Sequence, residues 1–213
     1  YLVSILVTGS FLATLTKELG FSDSLTGILS SVISLGCFFQ LFSLTINKRR
    51  SKGLVIALSL TNQIMFMLLF VVPLTNFKSN IKTVLFIALI FLAYVIYNAI
   101  HPKKINWLMS LVDDSKRGIF TANKEILSLL AGMVFSFLMG TLVDHFKESG
   151  NIRLAFIISA AVMFFLTLLH TLTLVLTVEK PMSNSDFKGL KETVKELLHD
   201  KSVLSVTMVF VLY

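Results

Sequence analysis

The sequence carries almost no charge over most of its length. Only 15% of its 213 residues are Asp, Glu, Lys or Arg, whereas 55% are hydrophobic. Seven stretches contain none of these four residues: 1–16, 24–47, 53–77, 83–102, 126–143, 154–178 and 202–213. About 20 apolar residues cross the hydrocarbon core of a bilayer as a helix, and the five interior stretches are close to or above that length. This lack of charge excludes a soluble globular domain and predicts an all-α membrane protein.

Other kinds of chemistry are missing as well. The chain has one cysteine, Cys37, which excludes a disulfide framework within it. It has no glycine-rich phosphate loop, no Cys/His metal spacing, and no HExxH or GxSxG motif. Acidic residues are nearly absent from the apolar stretches, so paired carboxylates inside the membrane are not available for catalysis. We therefore expect no enzyme, no bound metal and no cofactor.

The charges that are present divide unevenly between alternate loops. The net charge is +7, and one set of loops carries thirteen lysines and arginines against five in the other set. The richer set comprises Lys48, Arg49, Arg50, Lys52, Lys103, Lys104, Lys116, Arg117, Lys180, Lys188, Lys191, Lys195 and Lys201. Short loops rich in Lys and Arg stay cytoplasmic, so this side and the amino end are predicted to face the cytoplasm of a cell membrane. The basic charge then reflects membrane topology and not nucleic-acid binding.

The order of the stretches predicts six spans and the start of a seventh. Residues 1–178 are expected to form a six-helix transmembrane bundle, and 179–201 an amphipathic linker on the cytoplasmic surface. The last stretch, 202–213, is too short to span, and the first has no initiator Met, so we expect a chain that is cut at both ends. The fourth span is expected to continue through Pro102 to about Leu111, because membrane helices tolerate proline.

One face of the fourth span gives the strongest candidate for a site. Tyr94, Tyr97, Asn98 and His101 recur at i, i+3, i+4 and i+7, and Lys104 extends the same stripe. Polar groups inside a span are costly unless they find a partner or a watery cavity. The asparagine can hydrogen-bond a polar solute, the tyrosines can stack on it, and histidine titrates near neutral pH. A polar face that bonds neighbouring helices, or an interfacial aromatic belt, explains the same pattern.

Polar and small residues of the other spans give weaker signals. Ser4 and Thr8 share a face of the first span and can meet that stripe, although such hydroxyls often bond their own helix backbone. Gly132 and Gly140 in the fifth span favour close helix packing. Interhelical hydrogen bonds or a packing role are the favoured interpretation of Gln40, Asn62, Gln63 and His170.

Local patterns in their order along the chain carry a family resemblance. Residues 20–29, Gly-Phe-Ser-Asp-Ser-Leu-Thr-Gly-Ile-Leu, look like the first external turn and the start of a second span. Residues 107–112 and then Arg117-Gly118-Ile119-Phe120 look like the end of a fourth helix and the turn that opens a fifth. With the six spans, the amphipathic linker and the seventh span, the chain resembles the first half of a major facilitator superfamily transporter and the beginning of its second half.

The superfamily's signature between the second and third helices is partly present. It reads Gly-x-x-x-Asp-Arg/Lys-x-Gly-Arg/Lys-Arg/Lys, and the matching positions here are Ser43, Asn47, Lys48, Arg50, Ser51 and Lys52. The cationic turn is kept, whereas the acidic residue and both glycines are not. The resemblance implies a cytoplasmic gate at Asn47, Lys48 and Lys52 with the turn at Arg117 and Gly118, weakened by the amide at Asn47. A solvated positive turn explains the same charges.

The resemblance implies secondary active transport of a small solute by alternating access. It implies two inverted three-helix repeats, a cavity lined by the first and fourth helices, and solute contacts at Tyr94, Tyr97, Asn98, His101 and Thr8. Uptake or efflux, and coupling to protons or another ion, stay open, and the fifth span lacks the Gly-Pro pair of family antiporters. The expected partners are the solute, the lipid bilayer and the carboxy-terminal half of the same chain. The alternative is a non-transporting membrane scaffold or sensor.

Overall fold

A computed structural model describes residues 1–36, 38–40, 51–178 and 199, and the regular elements in this part of the chain are all helical. The α-helices are α1 (Leu2–Ile5), α2 (Gly9–Glu18), α3 (Asp23–Leu35), α4 (Ser51–Val71), α5 (Ser79–Ser110), α6 (Arg117–Glu148) and α7 (Ile152–Leu176). Short 3₁₀ turns, Val72–Leu74 and Asp114–Lys116, follow α4 and precede α6. The prediction of an all-α chain is confirmed for these residues.

Four of the described helical segments are long and apolar enough to cross a membrane. They are Lys52–Leu74, Ser79–Ser110, Asp114–Glu148 and Ile152–Leu176, with mean hydropathies of 2.2 to 2.4. They correspond to the third, fourth, fifth and sixth predicted spans. The predicted linker, apart from His199, and the seventh span lie outside the described residues.

The first predicted span is broken into two short helices. α1 ends at Ile5 and α2 begins at Gly9, whose φ of +53° is a conformation that glycine adopts without steric cost. Leu6 and Val7 between them are fully buried. The Tyr94 hydroxyl of α5 donates a long hydrogen bond of 3.4 Å to the Val7 carbonyl. Backbone groups freed inside a membrane need such partners, so α5 helps to hold the break.

The fourth predicted span is one helix that contains its proline. α5 passes through Pro102, ends at Ser110 and is capped at Leu111. The expected continuation to about Leu111 is therefore confirmed. This continuity carries the stripe of polar side chains over more than two helical turns of one rigid element.

The packed interior is centred on α4. This helix contacts α5, α7 and α1, while α6 contacts α7 and α1. Edge-to-face aromatic pairs join α4 to its neighbours, with ring centroids 5.1 Å apart for Phe66 and Tyr94 and 6.2 Å apart for Phe70 and Phe156. Lipid tails are as apolar as these side chains, so van der Waals fit and interhelical hydrogen bonds hold the bundle together.

Candidate functional site

A small cavity between α1, α4, α5 and α7 is the candidate site. Its volume is about 30 Å³, which holds about two water molecules or one carboxylate group. α1 contributes Val3 and Ser4 to the wall. The polar side chains that α4, α5 and α7 contribute are Ser59, Asn62, Gln63, Tyr97, Lys104 and His170.

The α4 wall of the cavity follows directly from helical periodicity. Ser59, Asn62, Gln63 and Phe66 recur at i, i+3, i+4 and i+7, which places them on one face. This spacing repeats that of the polar stripe on α5. The sequence pattern favoured interhelical hydrogen bonds for Asn62 and Gln63 and did not place them in the wall of a site. Ser59, three residues before Asn62, was the signal that could have indicated a polar face.

Two hydrogen bonds across helices fix the amides of this wall. The Asn62 side-chain amide donates to the Ala93 carbonyl of α5 at 2.7 Å, and the Gln63 amide nitrogen lies 2.8 Å from Nδ1 of His170 in α7. The interhelical hydrogen bonds that were predicted for Asn62 and Gln63 are therefore present. His170, expected to pack, is also a hydrogen-bond partner.

Two polar atoms in the same wall are left without a partner among the described residues. They are the hydroxyl oxygen of Ser59, a residue only 3% exposed, and the side-chain oxygen of Gln63. A buried polar group without a hydrogen bond costs free energy, and more so where no water reaches it. The cavity therefore has hydrogen-bonding capacity that the described part of the chain does not use.

Lys104 supplies the positive charge of the cavity. It is half-buried in the wall formed by α5. The ion pairs among the described residues join Arg117 to Asp114 at 2.7 Å and Lys124 to Glu125 at 2.8 Å, and neither involves Lys104. Within this part of the chain, its ammonium group faces the cavity without a carboxylate.

The side chains of the predicted stripe on α5 have two kinds of surroundings: some lie at the cavity and others pack between helices. Tyr97 lines the cavity, and the ring of His101 packs on it with centroids 5.1 Å apart. Tyr94 and Asn98 are 3% and 4% exposed and face the packed interior. Thr8, the predicted contact from the first span, bonds the Ile5 carbonyl of its own chain segment at 3.0 Å.

Asn98 joins α5 to the segment that follows α3. Its side-chain oxygen accepts a hydrogen bond from Gln40 at 3.2 Å, and its nitrogen donates to the Tyr94 carbonyl at 2.9 Å. A Cβ placed on Gly36 would overlap the Asn98 amide. Glycine at this position is what lets the end of α3 come so close to α5.

Comparison with known proteins decides the family. The family model described as Major Facilitator Superfamily matches residues 1–213, which is the whole chain. The chain belongs to the Major Facilitator Superfamily. No curated protein and no solved structure matches it. Members of this superfamily are transporters and not enzymes, so the family resemblance and the expectation of a non-enzymatic, multi-pass membrane transporter are confirmed.

Two of the gate positions implied by the Major Facilitator Superfamily pattern bond to helix ends. Lys52 Nζ donates to the carbonyls of Val175 and Thr177, at 3.0 and 2.7 Å, and lies 6.0 Å from the ring centroid of Trp107. Arg117 Nε donates to the Met109 carbonyl at 3.2 Å, in addition to its ion pair. The beginnings of α4 and α6 thus lie at the same end of the bundle as the ends of α5 and α7.

The remaining gate positions are Gly118, Asn47 and Lys48. A Cβ at Gly118 would meet no atom of the described residues within 4 Å. Asn47 and Lys48, in the signature turn of the superfamily, lie outside the described residues. The two described basic residues, Lys52 and Arg117, therefore connect helices within the described part of the chain.

Proposed function

We propose that this chain is the amino-terminal half of a secondary active transporter that moves a small solute by alternating access. In this proposal, residues 1–178 form two inverted three-helix repeats that rock against a second bundle, residues 179–201 link the bundles, and 202–213 begin the seventh span. The observation that carries the proposal is the cavity in whose wall the Ser59 hydroxyl and the Gln63 side-chain oxygen are buried without partners among the described residues. A helix bundle that served only as a scaffold gains nothing from polar groups left unpaired in lipid.

The proposed solute contacts divide into two groups by their surroundings. Tyr97, which lines the cavity, and His101, which packs on it, are proposed to touch the solute. Tyr94, Asn98 and Thr8 bond the backbone of the first and fourth spans or the segment after α3. We assign these three to holding the cavity in shape.

Proton coupling is proposed at His101. An imidazole with ordinary properties changes its charge near neutral pH, and His101 lies beside a cavity-lining tyrosine. Solute and proton could then share one site. Transport driven by a different ion is the competing proposal, and it predicts uptake that does not depend on a proton gradient.

The end of the bundle that carries Lys52 and Arg117 is proposed to be the cytoplasmic side of a cell membrane. The grouping of basic residues at this end supports this orientation, because basic loops stay inside. Asn47, Lys48, Lys52, Arg117 and Gly118 would form a gate that is remade as the bundles rock. Cysteine labelling from either side of sealed cells at positions 50 and 147 tests the orientation, since both labelled from one face would contradict it.

Uptake into vesicles tests the transport proposal. The complete protein is reconstituted and offered radiolabelled sugars, drugs and peptides, with and without a proton gradient. Movement of at least one compound is expected, with a loss in Tyr97→Phe if the hydroxyl contacts the solute. Tyr94→Phe is the matched control, because its hydroxyl bonds the Val7 carbonyl and its loss is expected to lower stability more than solute affinity.

A scaffold or sensor is the second candidate function. The polar atoms of the cavity that have no partner among the described residues are also consistent with a sensor, which binds a small molecule without transporting it. Binding without uptake would favour the sensor, and neither binding nor uptake across the panel would favour the scaffold.

A further inference from the structure

The charge balance of the cavity points to the kind of chemical group that it accepts. Among the side chains that line it in the described part of the chain, Lys104 is the one cation, and there is no Asp or Glu. Ser59 adds a buried hydroxyl that has no partner among the described residues and can donate a hydrogen bond. A neutral solute would leave the cation uncompensated in a medium where an unpaired charge is expensive.

We propose that this cavity is a subsite for the carboxylate group of a small organic anion, with Lys104 as its counter-ion and Ser59 as a hydrogen-bond donor. The inference rests on the proposed function, because it names the solute class that the same site would accept. The cavity volume of about 30 Å³ has room for about two water molecules. This is enough for the two oxygens of a carboxylate, so the rest of the solute would lie outside it. Tyr97 in the same wall offers a second hydroxyl donor.

The acceptors in the wall are compatible with an anion because each can be turned toward a donor. Asn62 already uses its nitrogen on the Ala93 carbonyl, and the Gln63 nitrogen lies against His170. The side-chain oxygen of Gln63 has no hydrogen-bond partner among the described residues. In the bound state we expect it to accept one proton of the Lys104 ammonium, which leaves the other protons for the carboxylate.

A rival explanation for Lys104 is an ion pair with a carboxylate elsewhere in the complete protein. The two explanations make opposite predictions for Lys104→Gln. Removing an unpaired, half-buried cation relieves part of its desolvation cost and raises the melting temperature of the ligand-free protein, by about 2 °C. Removing one member of a buried ion pair leaves the other charge unpaired and lowers it.

The experiment measures thermal unfolding of the complete protein in detergent, with sodium acetate as the probe. Acetamide with sodium chloride at the same ionic strength is the neutral match. Acetate at 50 to 100 mM is expected to raise the melting temperature by roughly 2 to 4 °C above the match, as binding to the folded state does. Lys104→Gln should abolish this rise, and Ser59→Ala should reduce it.

Lys124→Gln is the matched control for loss of one positive charge. Lys124 pairs with Glu125 at 2.8 Å and does not line the cavity, so its variant should keep the full response to acetate. The proposal is overturned by equal effects of acetate and its neutral match, by a response that persists in Lys104→Gln, or by a lower melting temperature in ligand-free Lys104→Gln.

The outcome is independent of whether the protein transports. An acetate response that depends on Lys104, combined with no uptake of any compound, would keep the anion site and reject the transporter in favour of a sensor. Uptake limited to neutral solutes and unchanged in Lys104→Gln would keep the transporter and reject the anion site.

Discussion

Helices α4 and α6 are equally apolar, but α4 is much more buried within the described chain than α6. Their most apolar 18-residue windows both have a mean hydropathy of 2.2, yet 44% of the α4 window is buried within the chain and only 17% of the α6 window. α4 packs against three helices, α1, α5 and α7, whereas α6 packs against α1 and α7. Hydropathy thus identifies a segment that can enter the bilayer but does not tell what that segment packs against.

The placement of polar residues is what separates the two helices. On α4, Ser59, Asn62 and Gln63 form one inward face, where each finds a neighbouring helix or the cavity. On α6, residues 126–143 include no Asn, Gln or charged residue, and Leu127 and Phe137 are both highly exposed. In a membrane a polar face is the better indicator of the interior, because an apolar face is stable against either lipid or protein.

The largest expected effect comes from truncating matched phenylalanines of the two helices. Phe66 on α4 is 1% exposed and packs on Tyr94, whereas Phe137 on α6 is 70% exposed. Phe66→Ala should lower the free energy of unfolding by about 3 kcal/mol, because it leaves a cavity that neighbouring helices cannot fill. Phe137→Ala should change it by less than about 0.5 kcal/mol.

Titration of the complete protein with SDS in mixed micelles measures both values. Equal losses in the two variants would break the comparison. They would mean that the Phe137 face of α6 is covered by protein from outside the described residues and not by lipid.

The second prediction concerns two glycines on α6. A Cβ on Gly132 would lie 2.6 Å from Cε1 of Tyr1 and 3.1 Å from Cδ1 of Ile5, whereas one on Gly140 would meet nothing within 4 Å in the described chain. Gly132→Val should therefore cost about 1.5 kcal/mol of unfolding free energy, since the crowded atoms are side-chain ends that can shift. Gly140→Val is the matched control in the same titration, and a larger cost there would locate an additional contact of α6.

The sequence predicted the spans better than it predicted their interior. Charge-free stretches identified α4 to α7, and the stripe that includes Tyr97 and Lys104 identified the α5 wall of the cavity. The break before Gly9 was not predicted, because its partner, the Tyr94 hydroxyl, is distant in sequence. The α4 wall was missed for a similar reason, since whether a polar residue faces a helix or a cavity depends on its neighbours in space.

The third prediction compares asparagines on the two helices. Asn62 on α4 donates to the Ala93 carbonyl across the bundle, whereas Asn123 on α6 is exposed. Asn62→Leu should lower the unfolding free energy by about 1 kcal/mol, the usual size of an interhelical hydrogen bond in a membrane. Asn123→Leu should have no measurable cost, and a similar loss in both variants would show that the hydrogen bond is not what α4 loses.

The smallest expected effect lies at the amino ends of the two helices. Lys52 begins α4 and reaches the last carbonyls of α7, 123 and 125 residues away, while Arg117 begins α6 and reaches Met109, 8 residues away. Each places a positive charge at the carbonyl end of a helix, a contribution of about 0.5 kcal/mol. Lys52→Met should therefore loosen α7, whereas Arg117→Met should loosen only the turn between α5 and α6.

Amide hydrogen exchange locates these two effects even where stability changes little. In Lys52→Met, faster exchange is expected in residues 174–178, although these residues are distant from position 52 in the sequence. In Arg117→Met, faster exchange is expected in residues 109–117 and not in α7. Lys52 occupies the last position of the superfamily's signature turn. If faster exchange in its variant were confined to residues 51–55, the turn would not stabilise α7. That outcome would favour the interpretation of the turn as a solvated, positively charged loop.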